Sequence, residues 1–167
     1  MKKIVLGLLV FGFTFQSFSQ NVEQLAEVWI IATNYKYLSE TDAEDEALPI
    51  ELLQRKVATY DIKSSDIYND EYDHYEVAFY IPEGKILAAY DKDGKVLRTV
   101  EKFKNVKLPV SVSQSIQKRF PGWNVTKDVY LVNFHDKKGV TKKMYKLRLE
   151  NGDKLIRVKT DDEGNFL

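Results

Sequence analysis

Tyr75-Glu76-Val77-Ala78-Phe79-Tyr80-Ile81 and Lys85-Ile86-Leu87-Ala88-Ala89-Tyr90, joined by Pro82-Glu83-Gly84, decide how this chain folds. Both runs alternate in polarity and are rich in β-branched and aromatic residues, and the Pro-Glu-Gly segment carries turn chemistry, so the stretch reads as a β-hairpin. Alternation also assigns sides. With Tyr75, Val77, Phe79, Ile86, Ala88 and Tyr90 set toward a core, the opposite side carries Glu76, Ala78, Tyr80, Lys85, Leu87 and Ala89. That side is unusually apolar for a surface left to water.

The pattern recurs. Tyr75-Glu76-Val77-Ala78-Phe79 matches Tyr145-Lys146-Leu147-Arg148-Leu149, and Asp91-Lys92-Asp93-Gly94 matches Asp161-Asp162-Glu163-Gly164, both 70 residues later. Upstream, Leu48-Pro49-Ile50 is echoed by Leu108-Pro109-Val110 and Ser65-Asp66-Ile67-Tyr68 by Lys127-Asp128-Val129-Tyr130. Self-similarity of this kind predicts two copies of one structural unit. The extra residues of the second copy fall between Tyr130 and Tyr145, where Asn133, His135, Asp136, Lys137, Lys138 and Gly139 read as a longer hairpin connection.

Pro49 and Pro109 suit first helical positions, and helices are expected to about Tyr60 and Phe120, the second stopped by Pro121-Gly122. Ile50, Leu53, Val57 and Tyr60 form one apolar stripe, and Val112, Ile116 and Phe120 the other. Strands are expected over 66–69, 75–81 and 85–90 in the first copy, and over 126–134, 144–150 and 154–160 in the second. Val28 to Leu38 and Val96 to Phe103 read as the strands that precede each helix, with a helix over 22–38 as the alternative for the former. The expected fold is therefore α+β: β-α-β-β-β twice in tandem, over about 27–95 and 96–167 of a single domain at 20–167. Each helix covers one face of an antiparallel sheet and leaves the other face free.

Composition agrees with one ordered domain: 167 residues, 44% hydrophobic, with 25 Lys and Arg balanced by 25 Asp and Glu. The absence of cysteine excludes disulfide scaffolds, thiolate zinc sites and cysteine nucleophiles. Met1-Lys2-Lys3, the apolar run Ile4 to Phe15, and Ser17 and Ser19 before Gln20 have the order of a secretory signal peptide, so residues 1–19 are expected to be removed on export to a periplasmic or extracellular location. An apolar run of that length rises about 18 Å as a helix, short of a bilayer core of roughly 30 Å, so no integral membrane protein is expected after cleavage. The mature chain would carry a slight acidic excess, which predicts no nucleic-acid partner.

No catalytic constellation stands out. His74 and His135 lie outside any H-E-x-x-H spacing, no G-x-S-x-G elbow is present, and the glycines stand singly rather than in phosphate loops. The acids Glu40, Asp42, Glu44, Asp45 and Glu46 read as a solvated loop ahead of a helix N-terminus, without the spacing of a calcium loop. Asp91-Lys92-Asp93-Gly94 reads as a turn, as does its counterpart at Asp161. Asp70-Glu71-Tyr72-Asp73 reads as a polar connection. The expectation is a protein that is not an enzyme, with no cofactor and no metal.

Arg119-Phe120-Pro121-Gly122-Trp123 at a helix end, a strand, then Tyr145-Lys146-Leu147-Arg148-Leu149-Glu150-Asn151-Gly152-Asp153-Lys154 and a closing Asp161-Asp162-Glu163-Gly164 turn resemble the PepSY-like, β-lactamase-inhibitor-like secreted proteins. The resemblance covers most of residues 27–167 and implies a small secreted α+β module that binds or inhibits another protein. The disulfides of the inhibitor relatives are missing here. Candidate binding residues follow from alternation: an apolar patch of Ala78, Tyr80, Leu87 and Ala89 on the first sheet, and a cationic ladder of Lys146, Arg148, Arg157 and Lys159 on the second. The expected partner is a protein or peptide. The competing readings are cover of the apolar patch by Val28 to Leu38, a self-associating homodimer of the envelope, and a hydrolase without a recognisable motif.

Overall fold

A computed structural model of the chain describes residues 33–42 and 45–167. Six strands, β1 (His74–Ile81), β2 (Gly84–Asp91), β3 (Val96–Lys104), β4 (Asn124–His135), β5 (Gly139–Asn151) and β6 (Lys154–Thr160), form one antiparallel sheet in the order β1-β2-β3-β4-β5-β6. Each strand pairs with its neighbour in sequence, as short turns dictate. The one long link, between β3 and β4, carries a helix and still returns the chain beside β3. The two sheets expected from the sequence are thus one, joined where Glu101 faces Val132 and Phe103 faces Tyr130.

Among the described residues three helices accompany the sheet: α1 (Tyr35–Thr41), α2 (Leu48–Ala58) and α3 (Val110–Arg119). Pro49 is the second residue of α2, one place past the first helical position expected, and Pro109 is the N-cap of α3, whose helical residues begin at Val110 and end before Phe120. Ile50, Leu53 and Val57 of α2 and Val112 and Ile116 of α3 join one buried core with Ile86, Tyr90, Phe103, Tyr130, Leu147 and Leu149 of the sheet. Aromatic rings fill much of it. Tyr130 stacks on Tyr145 with centroids 4.3 Å apart, and Tyr60 meets Phe79 edge-on at 5.2 Å.

The strand expected over Val28 to Leu38 is corrected: residues 35–41 are helical, and 28–32 lie outside the described residues, as does the proposed signal peptide. Tertiary hydrogen bonds overrule the local β preference here. Asn34 Nδ2 donates to the carbonyls of Ala58 (3.0 Å) and Gly94 (3.1 Å), and Asn34 Oδ1 accepts from the Val96 amide (2.8 Å). Tyr37 and Thr41, one helical turn apart, are both buried. The short strand expected at 66–69 is also absent. Asp61 accepts from the Lys63 and Ser64 amides, and the turns Ser65 N to Ile62 O and Tyr68 N to Ser65 O take up the backbone locally. Residues 96–167 thus hold the β-α-β-β-β order expected of the second copy, as β3-α3-β4-β5-β6, whereas the first copy has α1 over 35–41 where a leading strand was expected and no strand at 66–69.

The added length before Tyr145 is likewise not a long connection. Asn133 and His135 belong to β4 and Gly139 to β5, leaving Asp136-Lys137-Lys138 as the turn, and a bulge between Asn133 and Phe134 absorbs the irregularity. The turns after β2 and β6 share one geometry: Asp91 N donates to Lys95 O and Asp161 N to Asn165 O, both at 3.0 Å, while Gly94 and Gly164 adopt φ of 83° and 87°. No helix among the described residues is long and apolar enough to cross a membrane.

Candidate binding surface on the open sheet face

Strand alternation sends Tyr75, Phe79, Ile86, Tyr90, Phe103, Tyr130, Tyr145 and Leu147 into the core beneath the helices. The intervening residues form the opposite face. All eight candidate residues, Ala78, Tyr80, Leu87, Ala89, Lys146, Arg148, Arg157 and Lys159, lie on that face. The patch and the ladder, predicted on separate sheets, share one continuous surface. The described part of the Val28 to Leu38 segment packs on the helical side, where Tyr37 meets Glu101 and Phe134, and does not cover Tyr80 or Leu87.

Register extends the apolar patch beyond the hairpin that revealed it. Ala78 stands opposite Leu87 and Leu87 opposite Val100. Tyr80, Leu87 and Val100 are 66%, 45% and 51% exposed. Leu131, half-buried in β4, pairs with Met144 and continues the apolar surface toward β5. Val100, Leu131 and Met144 were missing from the sequence candidates. Their alternation was legible, but the pairing of β3 with β4 that brings them beside Leu87 is a long-range contact.

A band of cations borders this surface. Lys85 stands opposite Lys102, Lys127 opposite Arg148, Arg148 opposite Arg157, and Lys146 opposite Lys159. On the same face Glu76 binds Arg98 at 2.7 Å and Glu150 binds Arg148. Among the described residues Lys127, Lys146, Arg157 and Lys159 make no ion pair. Lys127, Lys146, Arg148, Arg157 and Lys159 wall a shallow depression of about 400 Å³.

The two histidines, which the sequence left apart, border one further depression of about 440 Å³ at the other end of this face, with Glu76, Ala89, Arg98 and Asp136. His135 Nδ1 accepts from the Lys137 amide at 3.1 Å, so its other ring nitrogen carries the proton in the neutral form. Among the described residues no group of three or more His, Asp and Glu side chains is arranged to hold a metal ion.

Glu101 and Glu46 lie away from this face. Glu101 is fully buried under the helices, and burial raises its pKa against three donors: Tyr37 Oη at 2.9 Å, Gln54 Nε2 at 3.0 Å and Thr99 Oγ1 at 2.7 Å. Glu46, whose carboxylate oxygens are buried without a hydrogen-bond partner, is pushed up to about 8 by desolvation, opposed by Lys143. Burial raises Asp128 against the amide donors of Val106 and Asn105. Asp136 is lowered by the hydrogen bond from Lys95 Nζ at 2.9 Å. Glu101 is closed off by its donors, an arrangement that holds a fold together rather than serving a substrate.

No protein-family model matches the chain, so the PepSY-like resemblance finds no counterpart there, and no curated protein matches it. Among solved structures it is similar to the crystal structure of a BLIP-like protein from Bacteroides fragilis, at 14% identity and a TM-score of 0.33, over 77% of this chain and 88% of that one.

Proposed function

We propose that this protein is a non-enzymatic binding module that docks a partner protein on the open face of its sheet. The partner presents an apolar contact to Tyr80, Leu87 and Val100, and acidic groups to the cations of β4, β5 and β6. One observation carries the proposal: a single sheet face joins an exposed apolar patch to a cation band in which, among the described residues, only Arg148 is ion-paired, to Glu150. Apolar area removed from water contributes about 25 cal/mol per Å², so a patch of a few hundred Å² supplies several kcal/mol before the costs of association. The cations steer the encounter and reject cationic surfaces. Two copies placed face to face with their β6 ends together would set cation band beside cation band, which disfavours that homodimer. In this proposal the segments of about 27–95 and 96–167 are related copies, residues 1–19 direct export, and the partner is a periplasmic or extracellular protein that the module binds or inhibits.

The test is capture of periplasmic and culture-fluid proteins on the immobilised chain, repeated with Tyr80→Ala plus Leu87→Ser and with the helix-side control Leu52→Ser. A partner lost from the first variant and kept by the control, with unchanged circular dichroism and melting, supports the proposal. A partner retained by both, or a first variant that no longer folds, overturns it. A concentration-dependent dimer dispersed by the first variant would assign the face to a second copy instead.

A further inference from the structure

The depression walled by Lys127, Lys146, Arg148, Arg157 and Lys159 is unusual for a merely solvated surface. Like charges directly opposite one another on neighbouring strands are destabilising, and a face that only needs water alternates Glu with Lys. Here Lys127 faces Arg148, Arg148 faces Arg157, and Lys146 faces Lys159. Protection of a sheet edge by Lys accounts for charge on β6, an edge strand, but not for Lys127, Lys146 and Arg148 on the interior strands β4 and β5. Arg148 adds an independent observation. One of its terminal nitrogens is held by Glu150, while its Nε is buried and has no acceptor. A buried donor of that kind is costly unless an acceptor reaches it.

We propose that this depression receives an extended acidic segment of the partner, a run of Asp and Glu lying along β5 and β6. The proposal rests on the docking surface described above and names the chemistry of one end of it. Spacing supports it. Successive same-side residues of an extended chain are about 6.7 Å apart, which is the separation along the strand from Lys146 to Arg148 and from Arg157 to Lys159. Adjacent strands are about 4.8 Å apart, so the cations span roughly 10 Å from β4 to β6, wider than one oxyanion and suited to several carboxylates on one chain. Arginine forks at Arg148 and Arg157 suit bidentate carboxylate contacts. A nucleic acid fits less well. Bases bind single-strand readers by stacking on aromatic rings, and Tyr80, on β1 at the far edge, is the face's one Tyr, Phe or Trp among the described strands.

The experiment is a fluorescence-anisotropy titration of the full chain with a labelled (Asp-Glu)4 peptide, an (Asn-Gln)4 control, heparin and a single-stranded oligonucleotide, at low and physiological salt. The acidic peptide is expected to bind and the neutral one not, with affinity falling steeply as salt rises. Arg157→Gln with Lys159→Gln is expected to weaken binding at least tenfold, and Lys118→Gln on the exposed side of α3 to leave it unchanged. Lys146→Gln provides a second variant that touches no edge strand. The proposal is overturned if (Asp-Glu)4 fails to bind, if both depression variants bind it as well as the original chain, or if heparin or the oligonucleotide binds more tightly and displaces it. Retention of the captured partner with no binding of (Asp-Glu)4 would overturn this inference alone, whereas loss of the Tyr80 and Leu87 dependence would overturn the docking surface.

Discussion

The hydroxyl of Tyr37 donates a 2.9 Å hydrogen bond to Glu101 Oε1, tying α1 to the centre of the sheet across 64 residues of chain. Gln54 of α2 donates to the other oxygen, so one buried carboxyl links two helices to β3. Tyr37→Phe keeps the ring against Phe134 but leaves Glu101 one donor short. The expected loss is about 1–3 kcal/mol, the desolvation penalty of an under-satisfied buried group. Urea unfolding checks it, as a lower midpoint at unchanged m.

Burial raises the pKa of both Glu46 and Glu101, that of Glu46 from 4.5 to about 8. A carboxyl whose folded pKa exceeds its unfolded value binds its proton more tightly in the folded chain. Its contribution is fully present below the unfolded pKa and is lost as pH rises through the folded one. Lys143 opposes the shift at Glu46, while Glu101, Asp42 and Glu51 add to it. Stability is therefore expected to decline from about pH 5 to about pH 8, and Glu46→Gln to flatten that decline. Unfolding midpoints measured across this range check both.

Gly94 and Gly164 occupy matching turns with nearly the same positive φ but different surroundings. A Cβ at Gly94 meets nothing within 4 Å, whereas one at Gly164 would come within 2.7 Å of Ser111 O in α3. Gly94→Ala is expected to cost about 1 kcal/mol from backbone strain alone, and Gly164→Ala clearly more, because the closing turn must move away from the helix. The difference between the two melting temperatures isolates that packing.

Arg157 faces Arg148 across the β5–β6 ladder. Arg157→Glu turns a like pair into an opposite pair and is expected to raise stability by a few tenths of a kcal/mol, up to about 1, even as it removes a cation from the proposed acidic-segment site. A chemical denaturation curve at low salt reads the gain, which added salt shrinks.

Much of this fold was legible locally. The alternation of Tyr75-Val77-Phe79 against Ala78-Tyr80 placed each residue on its correct side, because the strand period of two is a property of the backbone. The spacing of Ile50, Leu53 and Val57 identified a buried helical face for the same reason, with a period of 3.6. Residues 35–41 misled, since Tyr35 and Tyr37 favour strands on their own. Asn34 and Glu101 supply hydrogen bonds that no local rule foresees.

The candidate surface divides along the same line. The sequence by itself determined that Tyr80 and Leu87 point away from the core, and that Lys146, Arg148, Arg157 and Lys159 do the same. Only the tertiary structure decided that they share one face, that Val100 adjoins Leu87, and that Lys127 completes the cationic depression. Side-chain direction follows from bonded geometry within a strand. Which strands become neighbours, and in what register, depends on β3 meeting β4 across a connection that holds a whole helix, a contact set by burial of Phe103 against Tyr130 rather than by any short-range signal.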